Sequence, residues 1–132
     1  MIKLNFYRGA GFIAWLVRAV SRKPWGHVEI VIHGTAFVLS AGAKCYQQSE
    51  QLRPKPTAQV ELAYVDGAWE RALEAVGSDY DYFGAIRSGT PFGREHPKKW
   101  FCSELAAYAL GLPDANTRSP GDLAQHFLVI KK

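Results

Sequence analysis

The apolar positions change period along the chain, and each change marks an element. Residues 1–6 alternate, with Ile2, Leu4 and Phe6 set against Lys3 and Asn5, which predicts a half-buried first strand. Gly9, Ala10 and Gly11 break it. Over residues 12–20 the period lengthens, and Phe12, Trp15, Leu16 and Ala19 share one face of an amphipathic helix. Pro24 and Gly26 precede His27-Val28-Glu29-Ile30-Val31-Ile32, a strand by its β-branched content. His33-Gly34 is a tight turn, and residues 35–40 return as the partner strand of a hairpin. After a loop at 41–44 and the short stretch 45–47, residues 48–56 are polar and proline-bearing, a surface loop or edge. Residues 59–65 alternate again as a strand. Asp66 is placed to cap a helix through about Val76, whose apolar face is Trp69, Ala72, Leu73 and Val76. Gly77, Ser78 and Asp79 end it, and residues 80–86 read as a short aromatic helix. A loop at 93–99, rich in charged and turn residues, leads into a helix over 100–110, stopped by Gly111 and Pro113. One more turn at 119–123 and a strand at 126–130 complete an α+β domain spanning 1–132, without repeats or linkers.

Composition narrows the function classes. With 132 residues and 48% hydrophobic content the chain builds one core. Two cysteines do not make a disulfide framework. The net charge of +4 is scattered rather than gathered into a stripe, which argues against a nucleic-acid partner. Arg18 and Arg22 interrupt the early apolar run, so it lacks the order of a signal peptide and is too short to span a membrane. The expected location is therefore cytoplasmic. The same arginines flank a Trp-bearing face, which keeps contact with a membrane surface open. Cys45, Cys102, His27 and His33 show no C-x-x-C or H-x-x-x-H spacing, so neither a metal nor another cofactor is expected.

The chemistry gathers at Cys102. It falls in the first turn of its helix, where unpaired backbone N–H groups and the helix dipole favour a thiolate and an oxyanion. His27 is the one well-framed base, and Glu29 follows two residues along on the same strand face. That spacing puts the two backbones roughly 6.5–7 Å apart, near enough for a carboxylate to fix the imidazole tautomer. Glu29 has an alternative role as the partner of an arginine that only supports the fold. Bland readings stand beside these: a cysteine is commonly a small core residue, as Cys45 at a strand end reads here, and Tyr80, Tyr82 and Phe83 fit simple packing.

The His-Val-Glu strand, the Tyr-Asp-Tyr segment at 80–82, the helix opening Trp-Phe-Cys-Ser-Glu-Leu at 100–105 and the Ser-Pro-Gly-Asp-Leu at 119–123 resemble the circularly permuted NlpC/P60 cysteine hydrolases of the YiiX/YebB type. These papain-like domains have relatives among small bacteriophage-encoded proteins. The resemblance implies a cysteine helix packed against an antiparallel sheet that carries the histidine, with Cys102 as nucleophile and His27 as base. Many permuted relatives carry an acidic residue on the strand after the histidine strand. Here residues 38–41 offer only Ser40, and Glu29 is the substitute. The backbone N–H of Cys102 supplies one oxyanion donor, and Tyr7, Tyr80 and Tyr82 compete for the second. The implied activity is cleavage of an amide bond, first of all in a cell-wall peptide. The same resemblance covers lipid-directed thioesterases and acyltransferases, and a non-catalytic phage-associated binding module is a further alternative. A wall-cutting enzyme without a signal peptide would reach its substrate on lysis or inside a particle.

Overall fold

The computed structural model describes residues 1–8, 15, 18–19, 25–39, 44–80, 99–100, 102–112, 123–124 and 127. Five strands form one antiparallel sheet: β1 (Ile2–Tyr7), β2 (His27–Ile32), β3 (Thr35–Val38), β4 (Tyr46–Ser49) and β5 (Ala58–Leu62), in the order β4-β3-β2-β1-β5. The helix α1 (Ala68–Leu73) follows, then the short parallel pair β6 (Asp79–Tyr80) and β7 (Lys99–Trp100), then the helix α2 (Cys102–Ala109). The fold is a mixed α+β arrangement. Among the described residues, no helix is long and apolar enough to cross a membrane.

Alternation along β1, β2 and β5 divides the sheet into two faces. On one, Leu4, Phe6, Ile30 and Phe37 are buried in a single cluster with Ala72 of α1 and Cys102, Leu105 and Ala106 of α2. The other face carries Asn5 and Tyr7 of β1 beside Glu29 and His27 of β2, paired across the strands in that register. Beyond them Val31, Ala36 and Val38 form a small apolar cluster of their own. This second face is covered too. β4 and β5 are opposite edges of the sheet, so the chain between them must cross the three inner strands. It does so as a strap over residues 50–57, opening with a 3-10 turn at Glu50–Leu52. Lys3 pairs with Glu50 at 3.1 Å, and the Tyr7 hydroxyl donates to the Pro54 carbonyl at 2.9 Å. The backbone N–H of Thr57 donates to the Phe6 carbonyl at 3.0 Å. The surface loop or edge expected at 48–56 is thus an edge strand followed by a strap.

Several element boundaries differ from the sequence pattern. The strand at 59–65 ends at Leu62. α1 is shorter than the helix expected through Val76, and Asp66 does not cap it. Gly67 holds that place with φ +83°, and no side chain caps the end. The positive φ favours glycine there, and a β-carbon would also displace the Arg71 guanidinium, whose Nη1 would lie 2.5 Å away. The buried face of α1 is Ala68 and Ala72, continued by Ala75, while Leu73 and Val76 are exposed. Small residues win that face because α1 lies close against α2. Arg71 reaches across to donate to the Tyr108 and Ala109 carbonyls at 3.0 and 2.9 Å, closing the C-terminal end of α2. Tyr80 begins no helix: it pairs with Trp100 in a parallel bridge, a long-range contact with no local signature. Phe127 is helical rather than part of a strand. Of the expected helix at 12–20, Trp15, Arg18 and Ala19 are described and helical. Residues 81–86, 93–98 and 128–130 lie outside the described residues.

Candidate active site

Cys102 is the first residue of α2 and is 5% exposed. Residues 102–107 of that helix are all buried, and three of them are alanine or serine. Such a helix seats closely on both β2 and α1, and its first turn comes to rest beside the start of β2. His27 is the first residue of that strand. The Tyr7 ring lies across from it in the β1 register, with ring centroids 5.7 Å apart.

His27 joins two acidic partners. Its Nε2 lies 3.0 Å from Glu29 Oε2, which leaves Nδ1 as the nitrogen open to a second partner. Burial works against a charge on this ring. The Cys102 charge and hydrogen bond, followed by those of Glu29, outweigh that cost and raise the His27 pKa from 6.5 to about 10. Glu29 is only 1% exposed, and a carboxylate so placed needs firm partners. Burial alone would raise its pKa. The hydrogen bonds from His27 and Arg53, and then their charges, hold it below the usual carboxylate range. Arg53 donates from Nε to Oε1 at 2.9 Å and from Nη2 to Oε2 at 2.5 Å. Both roles foreseen for Glu29, histidine partner and arginine partner, are therefore filled at once by one carboxylate.

Cys102, His27 and Glu29 thus come together. Tyr7 stands beside them, but its hydroxyl proton is directed to Pro54, and burial, followed by the Glu29 charge, pushes its pKa up to about 12. Tyr80 is placed by its backbone alone, opposite Trp100 and two residues in register from the cysteine helix. Ser40 and Tyr82 lie outside the described residues. Arg53 is the residue that sequence reasoning missed. It stands between Leu52 and Pro54 in a polar stretch, and nothing local separates it from a solvated loop arginine. Cys45 is buried before β4, and burial pushes its thiol up to about 11. Among the described residues, no group of three His, Cys, Asp or Glu side chains is placed to hold a metal ion.

Comparison with known proteins adds no relative: no family model, curated protein or solved structure matches the chain.

Proposed function

We propose that this protein is a cysteine hydrolase that cleaves an amide bond through Cys102, His27 and Glu29. The observation that carries the reading is the position of the His27 ring, bonded through Nε2 to a buried carboxylate and interacting also with the cysteine. A thiol beside a base that is itself oriented by a third group is the arrangement nucleophilic catalysis needs. A cysteine helix packed on a histidine-bearing antiparallel sheet also agrees with the permuted NlpC/P60 order, which makes cell-wall peptides the first substrates to try.

The chemistry follows from these roles. The Cys102 thiolate adds to the amide carbon, and the carbonyl oxygen takes up the negative charge at the positive end of the α2 dipole, beside the Cys102 backbone N–H. His27 Nδ1 gives its proton to the departing amine, and the carbon–nitrogen bond breaks to leave a thioester on Cys102. Neutral His27 then removes a proton from water, and the resulting hydroxide attacks the thioester. The acid leaves, and the thiolate–imidazolium pair is restored. Glu29 accepts from Nε2 throughout and keeps the tautomer that points Nδ1 at the reaction.

The test combines a panel of cell-wall peptides with activated acyl esters, followed by mass spectrometry of the intact protein. Turnover and an acyl adduct on Cys102 are expected, with turnover lost in Cys102→Ala and reduced about 10²- to 10⁴-fold in His27→Ala. A Cys102 that takes no acyl group from an activated ester overturns the proposal.

A further inference from the structure

We propose that Arg53 is a positioning residue for this site: from the strap it clamps the Glu29 carboxylate toward His27 and offsets its charge, leaving the imidazolium for Cys102. The inference rests on the catalytic reading of Cys102, His27 and Glu29.

Geometry supports the clamp. The Arg53 guanidinium grips both carboxylate oxygens in a fork, and Oε2 is the same atom that faces His27 Nε2. The third nitrogen, Nη1, donates to Gln48 Oε1 at 2.9 Å, with the Tyr46 hydroxyl at 3.5 Å. The strap is itself anchored on both sides of Arg53, by the Lys3–Glu50 pair and the Tyr7–Pro54 hydrogen bond. A carboxylate two residues from the histidine on one strand has many rotamers that miss the ring. The fork selects one that meets it.

Charge supports it as well. In the reacting state Cys102 and Glu29 are both negative and share one imidazolium, so the three groups alone carry a net negative charge in a buried place. Arg53 completes an alternating set of two anions and two cations. The other groups facing Glu29 do not replace it. Asn5 and Tyr7 on β1 carry no charge, and Asn5 Oδ1 already accepts from Gln59 at 2.7 Å. Beyond Glu29 this face continues with the apolar Val31, Ala36 and Val38, and the β4 residues opposite the last two, Gln48 and Tyr46, are uncharged and lie against Arg53 itself. Lys3 is taken by Glu50.

The experiment measures iodoacetamide alkylation of Cys102 from roughly pH 4 to 9, a span covering the ordinary carboxylate and imidazole ranges. Wild type is compared with R53M, R53K, E29Q, the E29Q/R53M double variant and H27A, with Cys45 as internal control and thermal melts to confirm folding. Without the fork Glu29 protonates at a higher pH, so the acid limb of the R53M profile should move up by about one unit, roughly a tenfold loss of rate on that limb. R53K should fall between, since a lysine supplies charge without the fork. In the E29Q background R53M should add nothing, because Arg53 acts through Glu29. If R53M does not fold, R53K and its E29Q double carry the same test. A profile that superimposes on wild type, or an equal loss in the E29Q background, overturns the inference while H27A still shows its own loss. An H27A profile identical to wild type instead removes the catalytic reading and this inference with it.

Discussion

Cys45 and Cys102 are buried to nearly the same degree, 3% and 5% exposed, and both face the same apolar cluster. They differ in what stands beside the sulfur. Cys45 precedes β4, tied by its backbone to Gly77 and Ser78, and burial alone drives its thiol up to about 11. Cys102 opens a helix and meets a histidine whose charge it helps to hold. Burial of a cysteine is therefore no guide to its chemistry in this chain. The neighbour decides, and the neighbour of Cys102 arrives from a strand 75 positions earlier in the sequence, as the difference between 102 and 27 shows.

The contrast breaks most sharply at His27. Its replacement by alanine should lower the alkylation rate of Cys102 near neutral pH by about a hundredfold, while Cys45 keeps its wild-type rate. Peptide mapping after a timed iodoacetamide pulse reads both sites in one sample. Equal effects on the two cysteines would erase the distinction.

The pH dependence should be the next largest effect. His27 must be protonated to give its proton to the leaving group, so turnover should fall as pH rises through about 10, roughly tenfold per unit beyond it. Glu29 has the opposite sign. Its folded pKa lies below the ordinary 4.5, so it contributes stability above that value and loses it as pH falls through the depressed one. Melting temperatures recorded on acidification should therefore drop more steeply in wild type than in Glu29→Gln. The smallest effect belongs to Cys45. Cys45→Ala should cost about 1–2 kcal/mol in a denaturant melt, as a small buried truncation does, and leave Cys102 alkylation unchanged.

Legibility followed the range of the interactions. β2 and its hairpin with β3 were readable, because β-branched content and a two-residue turn are local. His33 and Gly34 both take positive φ, 52° and 78°, as the turn demands. The helix that carries Cys102 was equally local, and Cys102 falls in its first turn, but the pattern starts the helix at Trp100, which the structure places in β7 instead. The face of α1 was half legible: Trp69 and Ala72 pack on the core as the wheel indicates, while Leu73 and Val76 give way to Ala68 and Ala75 because contact with α2 selects small residues. The β6–β7 bridge and Phe127 had no local signal at all. Glu29 was legible as the partner of His27, since two residues on one strand share a face whatever the fold. Arg53 was not, because its role depends on where a strap crosses the sheet.

The chain by itself determined β1, β2, β3 and β5, a helix with Cys102 in its first turn, and the pairing of His27 with Glu29, because each follows from the backbone period of a short segment. Tertiary structure decided the rest. It brought α2 to the head of β2, covered the polar face with residues 50–57, and set Arg53 on the carboxylate that His27 uses. The physical reason is burial. A carboxylate under a strap must find a cation, and which cation reaches it is settled by the path of the chain across the sheet.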